Sequence, residues 1–484
     1  MKQHPSSNPS AIGRAAPRVL VLAALAAGVG APAPASAQGA RQVQTNAINI
    51  PFEHYELPNG LQVILSEDHA TPTVAVNVMY HVGSKNEQVG HTGFAHLFEH
   101  TMFTGSGHVP YGLIDKLTEG VGGENNASTW NDFTTYFETI PSNYLEDALW
   151  FEADRMGWLL DALDSTKYNA QRDIVKNERR QSVDNRPYGR VDEVVAAAIY
   201  PAGHPYSWPV IGSMADLTAA TLEDVKNFFR LYYAPNNATL SIVGDFDPGQ
   251  AKAWVAKYFG NVPRGNAITR PRAEPVRLAA EKRLTLEDRV QVPRLYITWP
   301  TVGERAADQY ALDVLSDILA GPRTARLTKA LVYDRQSAAA VDASQDSKEG
   351  VGEFTISITP RPGHTLGELE QAADSVLDRF RSEGPTAEEL QRAKAGLELD
   401  FVRGLESNLG KSFRLVRGQT IDGNPGQYAV DYRRYRAVSQ ADVQRVAQTY
   451  LGRGRVVLSD VPQGGKDQAS NPERSVLVSQ SEAR

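Results

Sequence analysis

The sequence predicts an α+β protein of two homologous domains, each a mainly antiparallel β-sheet with packed α-helices. The chain has 484 residues, and single hydrophobic cores stop growing at roughly 250–300 residues, so two cores are expected. A β-rich run opens each half, at 73–80 and at 293–299. A second alternating strand and a helix with a Gln-to-Glu offset of seven then recur in the same order in both halves. A single α/β domain is the alternative.

Composition narrows the chemistry before any motif is considered. The 50 basic and 57 acidic residues give a net charge of −7, which offers no broad electrostatic reason to bind nucleic acid or anionic membrane. The chain has no cysteine. This excludes disulfides, thiolate zinc sites and cysteine nucleophiles, so any metal must be held by histidines and carboxylates.

The first 37 residues have the pattern of an export signal. Arg14 and Arg18 precede the apolar run 19–29, and Ala35-Ser36-Ala37 fits the small-residue cleavage pattern. The run is too short to span a membrane, and no later run of about 20 apolar residues is present. We therefore expect a soluble, exported, for example periplasmic, protein without membrane insertion after signal cleavage. An uncleaved anchor is the alternative.

The rest of the chain divides around a Pro- and Arg-rich stretch that is typical of a linker. Strands are expected at 73–80, 134–139 and 238–243 in the first half, and at 293–299, 353–358 and 456–458 in the second. The expected order is a leader at 38–47, an N-terminal metal-binding domain at 48–262, a linker at 263–275, a homologous non-metal domain at 276–470 and a flexible tail at 471–484.

Candidate metal ligands concentrate in His96-Leu97-Phe98-Glu99-His100. On a helix, positions i and i+4 share a face, so His96 and His100 can hold one cation together, with Glu99 beside it. The apolar residues Phe94, Leu97 and Phe98 would pack the other side of that helix. The alternative is a solvated or capping cluster on an ordinary helix.

A third protein ligand is needed, because catalytic zinc usually takes three and leaves the fourth position to water. Glu178 is the best candidate, in a helix predicted over 166–182, because its neighbours Asn177, Arg179 and Arg180 give no apolar reason for it to face a core. On spacing alone, a surface salt-bridged glutamate remains possible.

These motifs resemble those of the pitrilysin and insulin-degrading-enzyme superfamily of inverzincin metallopeptidases, which carry H-x-x-E-H. The resemblance is particularly to the β subunit of mitochondrial processing peptidase and its bacterial homologues, and it covers most of the mature chain. It rests on His96 to His100 and on the segments 80–87, 126–129, 175–180, 185–189 and 388–394.

The resemblance implies one zinc ion per chain, with ligands His96, His100 and Glu178, the last of which follows His100 by 178 − 100 = 78 residues. Such a zinc ion would acidify its bound water, and Glu99 would act as the general base. Many relatives carry, seven residues before the third ligand, a glutamate that supports the metal ligands without binding the metal, and here Gln171 occupies that position. Substrate backbone would pair with an edge strand that begins with Asn126, Ala127, Ser128 and Thr129; a plain turn is the alternative for these four.

The expected activity is zinc-dependent endopeptidase cleavage of peptides or unfolded segments. The alternatives are a non-catalytic assembly subunit and a zinc-bound, peptide-holding protein without turnover. Two such domains make half of a clam-shell chamber in relatives, so a second subunit is expected to complete it. Val332 and Ala339 stand where substrate-binding relatives carry an Arg and a Tyr. A heterodimer with a homologous subunit lacking the zinc motif is therefore favoured over a homodimer.

Overall fold

Two six-stranded mixed sheets organise residues 48–478, the part of the chain that the computed structural model describes. The predicted signal segment 1–37 and leader 38–47 lie outside the described residues. The elements of the first half are β1 Glu53–Glu56, β2 Gln62–Glu67, β3 Thr73–Tyr80, α1 Phe94–Thr101, α2 Leu113–Gly120, β4 Glu124–Thr129, β5 Thr134–Pro141, α3 Leu145–Ala162, α4 Ser165–Arg179, α5 Val191–Ile199, α6 Met214–Ala219, α7 Leu222–Tyr232, β6 Ala238–Gly244 and α8 Pro248–Phe259.

The second half repeats this arrangement in outline after residues 263–275, which form neither helix nor strand. Its elements are β7 Lys282–Asp288, β8 Arg294–Val302, α9 Gln309–Leu319, β9 Ala338–Ser347, β10 Val351–Pro360, α10 Leu366–Glu383, α11 Ala387–Arg403, α12 Asn408–Asp422, α13 Gln427–Ala437, α14 Gln440–Tyr450, β11 Val456–Pro462 and β12 Val476–Leu477.

Five strands of each sheet follow one corresponding order, which confirms the predicted fold class. The first runs β1-β2-β6-β3-β5-β4 and the second β12-β7-β11-β8-β10-β9. Antiparallel pairing dominates both sheets, but β2–β6, β7–β11 and β7–β12 pair in parallel. Each strand predicted from the alternating pattern is present. In both halves, the last strand of the order is an edge strand.

One helix of each half packs against the sheet of the other half. On the first sheet, one face packs against α1, α3, α7 and α8, while α12 of the second half crosses the opposite face. On the second sheet, α5 of the first half packs against Leu286, Val456 and Leu458. The apolar contact between the halves therefore has two separate parts.

Two sequence expectations need correction. The helix predicted over 166–182 ends as an α-helix at Arg179, and 180–184 form a π-helical turn that Asn185 N closes by donating to Arg180 O at 2.8 Å. Pro187 lies just beyond, and proline and the residue before it disfavour a continued helix.

The predicted flexible tail is wrong for residues 471–478. Strand β12 pairs in parallel with the outer edge of β7, and Val478 N donates to Thr285 O at 2.8 Å. The backbone groups of an edge strand need partners, and this segment supplies them.

Among the helices of residues 48–478, none is long and apolar enough to cross a membrane.

Candidate metal centre

Helix α1 presents its two histidines opposite a well-packed apolar face. It begins after Gly93, whose φ of +89° is the left-handed conformation that favours glycine. Phe94, Leu97 and Phe98 are buried in the first core, and the Phe98 ring stacks on Phe229 with centroids 5.5 Å apart. This packing fixes the direction in which His96 and His100 project.

Helix α4 brings the third candidate ligand to the same place. Its N-cap Asp164 accepts a hydrogen bond from Lys167 N at 2.9 Å, and the buried Tyr168 donates its hydroxyl to Ala220 O at 2.6 Å. Tyr168, Gln171 and Val175 form the buried stripe of the helix, and α4 packs against α1. Glu178 lies two turns after Gln171 and one turn after Val175, so it faces α1 as well.

The three predicted ligands meet in space. Glu178 Oε2 lies 3.2 Å from His100 Nε2 and 3.7 Å from His96 Nε2. The two imidazole rings have centroids 4.8 Å apart, and one donor atom from each residue falls within 4.8 Å of the others. Within residues 48–478, no other group of three such side chains meets this condition.

This donor set fits a zinc ion. Ligand atoms about 2.0–2.1 Å from a tetrahedral ion stand about 3.3 Å apart, close to the two distances from Glu178 Oε2. Burial, and secondarily the neighbouring His100, lower the pKa of His96, which keeps its imidazole in the neutral form that metals bind. His96 Nδ1 is buried without a hydrogen-bond partner. When the imidazole proton is on Nδ1, the lone pair of Nε2 is available to bind a metal.

Glu99 stands beside the cluster without belonging to it. It is half-buried on α1, and its charge, with that of Glu178, partly opposes the lowering of the His96 pKa. A carboxylate near a metal that is not a ligand can accept a proton from a metal-bound water.

The predicted substrate-binding residues lie on an edge strand, which rules out a plain turn. Asn126, Ala127, Ser128 and Thr129 belong to β4, which among residues 48–478 pairs only with β5 and packs against α1. Ala127 is buried and Asn126 is exposed. Within the described part of the chain, one edge of the strand is therefore unpaired next to the donor cluster.

The sequence motifs gave no role to two residues that hold the site together. Glu87 is buried and accepts hydrogen bonds from Gly93 N at 2.9 Å and Ala95 N at 2.8 Å, at the start of α1. Arg179 is buried beside Glu178 and reaches Gly212 O at 2.6 Å. Ordinary capping rules look for a side chain at the N-cap itself, which here is a glycine, so no local signal marks Glu87.

The second half carries no comparable cluster among its described residues. Asp313 lies on α9, the helix that follows β8 as α1 follows β3, and it accepts the Tyr435 hydroxyl at 2.7 Å. Burial raises the pKa of Asp313 to about 7, and Asp317 and Glu304 add to the rise. A carboxyl that is half-neutral near pH 7 and already hydrogen-bonded is a poor metal ligand.

Comparison with known proteins agrees with this difference between the first half, which has the donor cluster, and the second half, whose described residues have none. Residues 62–209 match the model "Insulinase (Peptidase family M16)", and residues 219–397 match "Peptidase M16 inactive domain". "Zinc protease PqqE" of Helicobacter pylori is 30% identical over 407 residues, covering 82% of this chain and 90% of that protein. The chain belongs to peptidase family M16.

Other M16 relatives extend the similarity. A "probable mitochondrial-processing peptidase subunit beta" of Arabidopsis thaliana is 24% identical over 273 residues, covering 54% of this chain and 49% of that protein. The crystal structure of a protease from Helicobacter pylori superposes with a TM-score of 0.78 at 27% identity, covering 85% of this chain and 99% of that one. The resemblance to the M16 superfamily inferred from the motifs is thus confirmed.

Proposed function

We propose that this M16 protein is a zinc-dependent endopeptidase that cleaves peptides or unfolded polypeptide segments. One observation carries the proposal: His96, His100 and Glu178, from two different helices, bring three donor atoms within 4.8 Å of one another, with Glu99 beside them. Relatives named zinc proteases support the reaction class. We propose one zinc ion per chain, and the second half serves as a wall of the site.

The roles of the chain's own residues follow from their positions. When bound, zinc polarises the scissile carbonyl and acidifies the attacking water. His96, His100 and Glu178 hold the ion. Glu99 takes the proton of the attacking water and delivers it to the leaving amine. The free edge of β4, including Asn126 to Thr129, pairs with the substrate backbone and so binds extended peptides with little demand on side chains.

We further propose that the working enzyme is a dimer in an exported compartment such as the periplasm. The signal-like first 37 residues support export. A homologous subunit without the zinc motif would supply the missing half of the chamber, with a second copy of this chain as the other choice. Purification from the native source that yields this chain with no other homologous subunit would exclude the heterodimer.

Hydrolysis of a quenched, unstructured peptide of about twenty residues by the mature chain tests the proposal. We expect turnover by the wild type and a loss of at least about 100-fold in Glu99→Gln, because general acid–base groups contribute about 10²–10⁴-fold. Zinc content should stay at one per chain in this variant. Glu119→Gln, at an exposed position on α2, is the matched control and should keep full activity.

Each result separates the candidate functions. A zinc-loaded, folded chain that is silent alone but active with its partner supports the heterodimer. Silence in both states would overturn the peptidase and leave a peptide-holding subunit. Equal turnover by Glu99→Gln would overturn the assigned base.

A further inference from the structure

We propose that Arg179 is a positioning residue, which sets Glu178 at the right distance from the histidine helix. The inference rests on the proposed metal centre, and it assigns a role to a side chain that touches neither metal nor substrate. Arg179 follows Glu178 directly and is the last α-helical residue of α4. Whatever fixes the Arg179 side chain therefore fixes the helix end that carries Glu178.

The guanidinium of Arg179 has three partners, of which one lies in the π-helical turn directly after α4 and two lie in more distant parts of the chain. It forms a bidentate pair with Glu193 of α5, in which Nη2 lies 3.1 Å from Oε2. Nη1 also donates to Gly212 O at 2.6 Å, and Nη2 lies 3.4 Å from Asp184 Oδ1. The side chains of Arg179 and Glu193 are only 3% and 9% exposed, so the pair is held firmly rather than screened by water.

The contact with Gly212 reaches the histidine helix through backbone alone. Gly212 lies against Gly93, the N-cap of α1, so closely that a Cβ on Gly212 would stand 2.4 Å from Gly93 Cα. Both glycines have positive φ, +75° and +89°. Ser213 N donates to Thr92 Oγ1 at 3.0 Å, which locks the same two segments side by side. Arg179 thus ties the Glu178 helix to the residue at which the histidine helix begins.

Through Glu193, Arg179 is also connected to the second half of the molecule. Glu193 lies on α5, whose apolar face, with Val194, Val195 and Ile199, packs on the second sheet. Arg179 therefore joins three bodies: the Glu178 helix, the start of the histidine helix and the helix that docks the non-metal domain. A lysine could not keep this arrangement, because it lacks the planar fork that pairs with a carboxylate and a carbonyl at once.

The test uses metal binding rather than activity. In the full mature chain, we expect Arg179→Gln to raise the zinc dissociation constant about 10–100-fold, the usual effect of losing a residue that orients a metal ligand. The visible d–d spectrum of bound Co²⁺ should change in the same direction as in Glu178→Gln, because both variants disturb the same ligand. Arg180→Gln, an exposed neighbour that donates to Asn177, should leave both readouts unchanged.

A double-variant cycle separates positioning from general destabilisation. If Arg179 acts through Glu178, Arg179→Gln should cost less than about 2-fold in zinc affinity when Glu178→Gln is already present. The same 10–100-fold loss in both backgrounds, or an unchanged affinity and Co²⁺ spectrum in Arg179→Gln alone, would overturn the inference. Should Arg179→Gln not fold, Glu193→Gln removes the charged partner while keeping the contact with Gly212, and the same cycle applies.

If the proposed metal centre itself is wrong, the wild-type chain and not only the variants will fail to bind metal. A folded wild-type chain that binds neither zinc nor Co²⁺ overturns the proposed function, and the inference with it. A wild type that binds zinc tightly, with variants that bind equally well, overturns only the role of Arg179.

Discussion

Glu87 anchors the first turn of the histidine helix from outside that helix. Both carboxylate oxygens are used, since Gly93 N donates to one and Ala95 N to the other. Burial raises the pKa of Glu87 well above its usual range, although these backbone hydrogen bonds pull in the opposite direction. The two backbone hydrogen bonds that anchor α1 therefore offset part of the cost of desolvating this carboxyl group.

Replacing Glu87 by Gln should destabilise the fold by about 1–3 kcal/mol, because an amide keeps one acceptor and leaves one buried N–H without a partner. Glu87→Leu, which removes both acceptors, should cost more. Urea unfolding monitored by circular dichroism measures the difference. Glu56→Gln, at an exposed position of β1, is the control, and an equal loss in the control and Glu87→Gln would contradict this account.

Gln171 stands on the buried stripe of α4 two turns before Glu178. Because His96 Nδ1 has no hydrogen-bond partner, a charged acceptor nearby would stabilise the ligating tautomer. We expect Gln171→Glu to tighten zinc binding by about 10-fold, as measured by competition with a chelator. Gln181→Glu makes the same charge change at an exposed site and should have little effect; weaker binding in Gln171→Glu would show that burial of the added charge dominates.

At this scale, the sequence predicted side chains whose spacing is set by one helix and missed those whose partners are distant. His96 and His100 share a face by helical geometry alone. The neighbours of Glu178 made it a candidate ligand, but only the family resemblance favoured it over a surface glutamate, because it follows His100 by 78 residues. The partners of Arg179, Gly212 and Glu193, come from two further elements, and no periodicity connects them.

At the scale of elements, the exchange of helices between the halves determines how the two sheets are joined. Ile199 of α5 is buried with Leu286, Val456 and Leu458 of the second sheet. Leu415 of α12 is buried with Ile64 and Val243 of the first sheet. The central strands of each sheet are thereby covered on a second face, which suits strands rich in Val and Ile on both sides.

We expect Ile199→Ala and Leu415→Ala each to lower the free energy of unfolding by about 2–5 kcal/mol, as for other large-to-small changes in a packed core. Leu399→Ala, in α11 and 49% exposed, should cost less than about 0.5 kcal/mol. Chemical denaturation followed by tryptophan fluorescence provides the comparison. If the Ala variants at 199 and 415 were as stable as the control, the exchanged helices would not hold the halves together.

Strand alternation predicted both sheets, since a period of two is readable in a short run. The partner of an amphipathic helix is not readable in the same way. The apolar faces of α5 and α12 indicate that each helix packs against another element. The sequence pattern does not indicate which element, because in both cases the partner sheet belongs to the other half of the chain.

At the scale of the whole molecule, an ionic cluster joins the turn between β9 and β10 to the first half. Glu349 Oε2 lies 2.8 Å from His81 Nε2 and also pairs with Lys85, while Glu349 N donates to Asp132 Oδ2 at 3.0 Å. Lys85 Nζ lies 2.9 Å from Asp132 Oδ1. The cluster therefore adds a charged contact between the halves to the two apolar ones.

This cluster should make the free energy of unfolding depend on pH in the acidic range. Although burial alone would raise the pKa of Glu349, the hydrogen bond from His81 and the charges of His81 and Lys85 lower it from 4.5 to about 2. A carboxyl with a depressed pKa stabilises the folded state above its unfolded pKa and loses that contribution as the pH falls through the folded value. The stabilising contribution of Glu349 should therefore be lost as the pH falls from 4.5 to about 2.

We expect the wild type to be more stable than Glu349→Gln by about 1–2 kcal/mol at pH 6, a value reduced for solvent screening because the Glu349 side chain is 34% exposed. The gap in unfolding free energy should shrink as the pH falls from 4.5 towards 2, where the wild-type carboxyl also becomes neutral. Parallel urea unfolding curves of the two proteins at several pH values measure the gap. A gap that stays constant across this window would mean that the Glu349 charge contributes nothing to holding the halves together.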